Sequence, residues 1–253
     1  MTGRLLLNGE AARLSDLIRN GDVLELQSLF VKARRAVKID LDIVYEDDYI
    51  IVVNKPGGIA VNGSRDKTVE NALQQVAQKS QAEGALPFPV ATHRLDVPTK
   101  GLVLLAKTKR SLIRLNKAFQ AGKVSKAYIA VVHGKPPASG RIDQPVNDKE
   151  AITDFERLEV APSRVFGHLS LVRLTPITGR THQLRIHLKE KGHLVVGDRM
   201  YAERTQTILG KGLFLCSCML AFEHPENGEK IRLEIEPPTR FNRLLEREAK
   251  RFE

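Results

Sequence analysis

The hydrophobic and polar positions along the chain predict many short strands. Dense apolar runs at residues 49–53, 101–108 and 123–134 are typical of buried strands, and the first of them follows the polar segment VYEDD, which is predicted to be a turn. Residues 152–161 form a further predicted strand, and residues 167–177 alternate apolar and polar positions as a strand with one solvated face does. A hairpin is predicted from FLCSCMLAFEHP to KIRLEIEPP around an Asn-Gly turn.

Apolar residues recur at helical spacing in four other segments. Thr68 is predicted to cap a helix that runs to about Gln81, and Thr181 to cap a helix that ends at Gly192. Two more helices are predicted over residues 111–122 and 239–252. Because the strands and helices do not alternate regularly, the pattern predicts an α+β fold: a mixed, mainly antiparallel sheet with flanking helices.

The N-terminal segment has a different pattern from the rest of the chain. Residues 1–40 contain two short apolar runs with an Asn-Gly turn, a polar stretch and a Gly-Asp turn between them, which is too little to fold alone. Arg34, Arg35 and Lys38 are predicted to lie in a linker. The predicted organisation is a small appendage over residues 1–40 and a main domain over residues 41–253.

Several classes of protein are not favoured by the sequence. No apolar run approaches the roughly 18 residues of a membrane span. Cys216 and Cys218 are too close on one predicted strand to cross-link the fold, which favours a reducing, cytoplasmic setting. His182 and His187 are five positions apart rather than four, so no metal site is expected. No phosphate-binding glycine motif follows a strand, so no nucleotide cofactor is expected.

The positive charge of the chain is concentrated in one segment. The formal net charge is +10, and residues 97–142 contain ten Lys and Arg but no Asp or Glu, so the remainder of the chain is balanced. A field of one sign attracts phosphates, which predicts a nucleic acid or another polyanion as partner. The alternative is an ordinary solvated surface, although such surfaces usually mix the two signs.

Asp96 directly precedes this basic segment, in the sequence HRLDVPT. Pro98 excludes a helix there, so Asp96 is predicted to lie on a loop. A loop aspartate by itself usually bonds nearby backbone amides. With Arg94 two positions away and cations downstream, its carboxylate is instead expected to stay ionised and to act as a nucleophile or a base on a bound polyanion.

Two further segments contain candidate residues. GRTHQLR, residues 179–185, begins a predicted helix, and both Arg180 and Arg185 are candidate partners for a buried acid. Tyr128 follows two lysines on a predicted strand, where a tyrosine usually packs in the core; in a basic cleft it is also suited to stack on a nucleic-acid base.

These segments together resemble a known family. HRLD followed by TKGLVLLAKT, then KAYIAVVHG, GRTHQLRIHL and VVGDRMYA, preceded by YEDDYIIVVNKPGGIAV, resemble the motifs of the RluA family of RNA pseudouridine synthases in their order and spacing, over residues 43–240. The resemblance implies the pseudouridine synthase fold and an enzyme that isomerises uridine in ribosomal or transfer RNA without a cofactor. RNA is then the expected partner, and we expect the protein to be a monomer without a membrane association.

The resemblance assigns roles residue by residue. It places the catalytic aspartate at Asp96 and the tyrosine that stacks on the base at Tyr128. The basic partner of the aspartate comes from GRTHQLR; Arg185 is favoured, and Arg180 is then expected to bind phosphate or to be structural. Leu184 is expected to form an apolar wall under the uracil, and Arg94 to fill the space of the extruded nucleotide. The residues expected to bind the substrate are His93, Arg94, Lys126, Arg180, His182 and Leu184.

Residues 3–26 resemble only the C-terminal part of the alpha-L RNA-binding domain that often precedes this catalytic domain. The two leading helices of that domain have no counterpart in the sequence. Two alternatives to the enzyme remain: a non-catalytic RNA-binding protein of the same fold, and a basic structural or ribosome-assembly protein. The first predicts RNA binding that survives loss of Asp96, and the second little dependence on a base-sized pocket.

Overall fold

The computed structural model describes residues 5–13, 15–26, 39–202 and 211–252. Contacts divide the chain into two units, Met1–Ala36 and Val37–Glu253. The predicted linker residues Arg34, Arg35 and Lys38 lie outside the described residues. Among the described residues, no helix is long and apolar enough to cross a membrane.

The N-terminal unit contains a three-stranded antiparallel sheet. Its strands are β1 (Leu5–Leu7), β2 (Glu10–Ala11) and β3 (Leu24–Leu26), in the order β2-β1-β3. The side chain of Asn8 links the turn between β1 and β2 to the residues before β3. Its amide donates to Asp22, and its oxygen accepts from the N–H of Val23. The resemblance of this N-terminal unit to the alpha-L domain stays a prediction.

In the described residues, the second unit is built on one large sheet with four helices. Its strands are β4 (Asp42–Glu46), β5 (Ile50–Lys55), β6 (Ala85–Ala91), β7 (Lys100–Thr108), β8 (Ser125–His133), β9 (Ser139–Ile142), β10 (Thr153–Ser163), β11 (Gly167–Pro176), β12 (Leu215–Glu223) and β13 (Lys230–Glu234). Its helices are α1 (Val69–Val76), α2 (Lys109–Gln120), α3 (Gln183–Glu190) and α4 (Arg240–Phe252). The predicted α+β fold with a mixed, mainly antiparallel sheet is confirmed.

The sheet consists of two antiparallel halves that meet at one parallel contact. The strand order is β4-β5-β7-β12-β8-β11-β10-β9, with β6 paired to β7 and β13 paired to β12. Strands β7 and β12 pair in parallel only at their first residues, where Ser217 lies opposite Gly101. On the other edge of β12, Ser217 lies opposite Tyr128 of β8. We call this junction of β7, β12 and β8 the seam.

Gly101 makes the seam possible. It has φ +119°, and an added Cβ would lie 2.2 Å from the carbonyl oxygen of Ser217 and 2.6 Å from its nitrogen. Only a residue without a side chain allows two backbones to approach this closely in this conformation.

The two faces of the sheet are covered by different helices. Val103 and Leu105 of β7 pack on one face with Leu73 of α1 and Leu188 of α3. On the opposite face, α2 packs against β5 and β7, and α4 packs against β8, β11 and β12. The apolar runs of the central strands are therefore explained by burial on both faces.

Three local predictions were wrong in detail. Residues Asp42–Glu46 form an edge strand, although the segment VYEDD, residues 44–48, was predicted to be a turn. Thr68 caps α1 as predicted, but the helix ends at Val76, because carboxylates at the β4–β5 turn accept the N–H groups of Gln78 and Gln81.

Thr181 does not cap α3. His182 occupies the capping position without a side-chain bond to the helix. The side-chain oxygen of Gln183 instead accepts the N–H of Arg180 (3.0 Å) and the hydroxyl of Thr178 (2.7 Å).

Replacement of Gly101 by alanine should destabilise the domain by about 3–5 kcal/mol, because backbone strain and a steric clash add. Gly167 is the matched control, since it also has a positive φ (+68°) but open space around its Cα. Gly167→Ala should cost only about 1 kcal/mol. The free energies of unfolding in urea compare the two; equal losses would show that the close approach at the seam does not matter.

Candidate active site

A cavity of about 570 Å³ opens where the seam meets the start of α3. All nine residues singled out from the sequence line it, although they come from the loop before β7, from β8 and from the segment that leads into α3. They are His93, Arg94, Asp96, Lys126, Tyr128, Arg180, His182, Leu184 and Arg185.

Asp96 lies on the loop before β7, as predicted, and a buried lysine anchors this loop. Lys55, at the end of β5, is fully buried and donates from Nζ to the carbonyls of Pro56 (3.0 Å), Ile59 (2.8 Å) and Val97 (3.2 Å). Burial lowers the pKa of Lys55 to about 8, and the negative charge of Asp96 opposes this shift. No role for Lys55 was predicted from the sequence.

Arg185 contacts Asp96. Its Nη1 donates to Oδ2 of Asp96 at 3.0 Å, and its side chain is only 4% exposed. Arg180 points elsewhere, because its Nε donates to the carbonyl of Glu150. Of the two arginines that the sequence left open, Arg185 is therefore the one that pairs with the aspartate.

A second acid, Asp198, holds the same guanidinium. It lies eight residues after α3, is 1% exposed, and accepts from Nε (2.7 Å) and Nη2 (2.8 Å) of Arg185. Burial alone would lower the pKa of Arg185, but the bonds to Asp198 and Asp96 raise it above its usual value. Asp198, the aspartate of VVGDRMYA, was not predicted from the sequence; a buried arginine that needs a second counter-charge was the available signal.

His182 and Tyr201 flank the other side of the carboxylate. Nδ1 of His182 lies 2.8 Å from the Tyr201 hydroxyl, and Nε2 lies 3.6 Å from Oδ1 of Asp96. The guanidinium of Arg185 lies over the Tyr201 ring, 5.0 Å from its centroid. Tyr201 was also missed from the sequence, because nothing local distinguishes it from a packing tyrosine.

Tyr128 and Leu184 form an apolar part of the cavity. Both belong to the core cluster on the α1 and α3 face, and each is less than 10% exposed. Burial raises the pKa of Tyr128 to about 12, so its phenol is protonated at neutral pH. This wall is suited to contact the face of a planar base.

His93 has a structural bond on one ring nitrogen. The N–H of Leu104 donates to its Nε2 (3.0 Å), and its ring stacks on Phe119 with centroids 4.6 Å apart. Burial lowers its pKa to about 3, so the ring is neutral and Nε2 is not available to a substrate. An RNA contact through the rest of the ring stays a prediction.

Like Arg180, which bonds only a carbonyl, Arg94 and Lys126 lie at the cavity without a carboxylate partner among the described residues. Arg94 is exposed, and Lys126 is partly buried, with Nζ 6.0 Å from the centroid of Phe119. Burial lowers the pKa of Lys126. An anion entering the cavity would relieve the desolvation of this ammonium.

The basic segment, residues 97–142, has fewer unpaired cations in the structure than its sequence indicated. Acids from other parts of the chain pair with four of its ten cations: Lys107 with Glu46, Arg110 and Arg114 with Glu226, and Arg141 with Asp154. The local absence of acids therefore overstated the free positive charge. In the part of the chain that the structure describes, the six cations without such a pair are Lys100, Lys109, Lys117, Lys123, Lys126 and Lys135.

The described residues contain no group of three or more His, Cys, Asp or Glu that could hold a metal ion. His187, considered with His182 from the sequence, bonds to Thr153 Oγ1 (3.0 Å) and to the carbonyl of Gln144 (2.9 Å) inside the domain.

Comparison with known proteins gives a consistent result. Residues 49–190 match the family model described as RNA pseudouridylate synthase. Ribosomal large subunit pseudouridine synthase D of Vibrio parahaemolyticus is 34% identical, covering 94% of this chain and 81% of the relative. Ribosomal large subunit pseudouridine synthase C of Yersinia pestis is 33% identical, covering 86% and 75%.

A solved structure agrees with these matches. Human RNA pseudouridylate synthase domain containing 1 superposes with a TM-score of 0.64 at 26% identity, covering 79% of this chain and 84% of that one. The matched segment includes Asp96, Tyr128 and Arg185, the residues that meet in the cavity. The chain belongs to the RluA family of RNA pseudouridine synthases.

Proposed function

We propose that Asp96 is the catalytic carboxylate of this RNA pseudouridine synthase and that its substrate is ribosomal RNA of the large subunit. The observation that carries the first part is the pairing of Asp96 with the buried Arg185 at the cavity. The second part is supported by similar relatives named as synthases of the large ribosomal subunit.

The geometry leaves one oxygen of Asp96 available for chemistry. Arg185 bonds Oδ2, whereas Oδ1 has no partner within hydrogen-bond distance among the described residues. The reaction breaks the bond between C1′ and the uracil nitrogen and joins C5 to C1′, with loss of the C5 proton. An ionised Oδ1 could attack C1′ or take a proton from C2′, and the guanidinium stabilises the charge that either step requires.

The walls of the cavity provide the rest of the site. The uracil must leave an RNA helix to reach Asp96, and Tyr128 and Leu184 offer it an apolar surface. Lys126 and Arg94 lie at the same cavity and are suited to contact the phosphates on either side of the extruded nucleotide. The monomeric state and the cytoplasmic location stay predictions.

Replacement of Asp96 by asparagine should abolish isomerisation, because the amide can neither attack nor accept a proton. Release of tritium from C5-labelled uridine measures the reaction, with ribosomal and transfer RNA transcripts tested side by side. Asp154→Asn, which removes a carboxylate on the exposed pair with Arg141, serves as the control and should react normally. Release by Asp96→Asn would refute its role, and tight RNA binding without release by the unaltered protein would favour the non-catalytic alternative.

Charge reversal next to the cavity should weaken RNA binding more than charge reversal far from it. Lys123 lies between Gly122 and Val124, which line the cavity. Lys135 follows the far end of β8, which is about 17 Å beyond Tyr128 at the usual rise of a strand. Lys123→Glu should weaken binding and flatten its dependence on salt, whereas Lys135→Glu, with the same change in charge, should alter both less. Filter binding at several salt concentrations tests this; equal effects would mean that only net charge matters.

Replacement of Asp198 by asparagine should lower both activity and stability. Arg185 would lose the buried one of its two counter-charges, which typically costs about 3–5 kcal/mol. The free energy of unfolding and the tritium-release rate are measured together, again with Asp154→Asn as the exposed control. An unchanged free energy of unfolding would contradict a role for Asp198 in holding the guanidinium.

A further inference from the structure

The backbone at His182 has an unfavourable conformation. With φ 58° and ψ 15°, the residue is left-handed, which side-chain-bearing residues adopt only where their surroundings hold them. Helix capping does not explain the choice of residue, because the His182 side chain makes no bond to α3. Gln183 binds the nearby backbone instead. The left-handed backbone at His182 therefore serves to place its imidazole and not to cap the helix.

The imidazole lies between Tyr201 and Asp96. Its Nδ1 is 2.8 Å from the Tyr201 hydroxyl, and the two rings meet edge to face at 82°. Its Nε2 is 3.6 Å from Oδ1 of Asp96. When the tyrosine hydroxyl donates to Nδ1, a neutral imidazole has its proton on Nε2, directed at the carboxylate.

Tyr201 is itself held by the arginine of the site. The guanidinium of Arg185 lies 5.0 Å from the centre of its ring, and the Tyr201 N–H donates to Oδ1 of Asp198 (3.3 Å). The contacts close a ring: Arg185 bonds Oδ2 of Asp96 and faces Tyr201, Tyr201 bonds His182, and His182 faces Oδ1.

We propose that His182, oriented by Tyr201, is a positioning residue for the free oxygen of Asp96. This inference rests on the proposed function, in which Asp96 is the catalytic carboxylate. At 3.6 Å the Nε2–H attracts Oδ1 without forming a hydrogen bond that would compete with the ribose. It thus limits rotation of the carboxylate while Arg185 holds the other oxygen, and it keeps Oδ1 directed into the cavity.

Two substitutions separate the two ends of the imidazole. In His182→Asn the amide lies near the position of Nδ1, so the contact with Tyr201 is retained and the group facing Asp96 is lost; asparagine also tolerates the left-handed backbone. In His182→Gln the amide nitrogen reaches the position of Nε2, so a donor facing Asp96 is restored. The inference predicts that glutamine rescues what asparagine loses.

Single-turnover tritium release measures the rate at saturating enzyme and the Kd for RNA separately. His182→Asn should lower the rate about tenfold, as a small misplacement of a catalytic group does, with the Kd unchanged within about twofold. His182→Gln should regain most of the rate. The inference would be overturned if His182→Asn reacted as fast as the unaltered protein, or if both variants lost rate equally. A change in Kd alone would also overturn it, because it would mean that His182 contacts the RNA directly.

Tyr201→Phe tests the orienting bond independently of the backbone at His182. It should lower the rate, and its effect should not add to that of His182→Asn, because both act through the same imidazole. Additive losses would overturn the role of Tyr201. If the histidine variants failed to fold, an unchanged rate in Tyr201→Phe alone would overturn it as well. Asp96→Asn in the same assay separates the two proposals: activity in that variant defeats the proposed function, whereas an inactive Asp96→Asn beside a fully active His182→Asn defeats only this inference.

Discussion

The guanidinium of Arg185, buried between Asp96 and Asp198, is the interaction on which the rest of the site depends. A buried charge is tolerated only when it is paired and its hydrogen-bond donors are used. Asp198 takes two of these donors and Asp96 a third, so the planar arginine fixes both carboxylates in one arrangement. A lysine could not do this, since it offers a point charge instead of a rigid fork of donors.

The sheet explains how this ion cluster is assembled from distant segments. Because β7 and β12 pair only at their first residues, the loop before β7 and the middle of β8 come together on either side of β12. β11, which pairs with β8, then leads into α3 and brings Arg185 above this point. Gly101 permits the close backbone contact that joins the two halves. The close backbone contact at the seam is therefore required both for the sheet and for the assembly of the site.

The sequence was sufficient for features that depend on local pattern. The buried strands, the loop at Asp96 and the two amphipathic helices on the α2 and α4 face follow from apolar spacing and from Pro98. The start of α3 was predicted wrongly, because His182 rather than Thr181 precedes the helix and no side chain caps it. Gln183 instead binds the N–H of Arg180, before the helix, a contact for which the sequence contains no local signal. The edge strand β4 was missed, because an edge strand in a polar segment lacks the apolar run that marks a buried strand.

The parts of the site that escaped prediction depend on partners far apart in the chain. Lys55 bonds a carbonyl 42 positions away, and local spacing contains no signal for such a contact. Asp198 and Tyr201 lie 13 and 19 positions from Arg185 and His182, the side chains that give them a role. The motif order indicated which segments meet, but the side-chain network within them required coordinates.

The pairing of four basic-segment cations with acids from elsewhere affects how the enzyme would hold and release RNA. Each phosphate contacted on RNA adds about 0.7–0.9 to the slope of log affinity against log salt. At most six cations of this segment remain without an acid partner among the described residues, and Lys135 follows the far end of β8. The electrostatic footprint of this segment is thus smaller than its ten cations suggest, although the pairing leaves the net charge of the chain at +10. Such a footprint leaves recognition to the shape of the RNA around the extruded base, and it lets the modified product dissociate without a large electrostatic barrier.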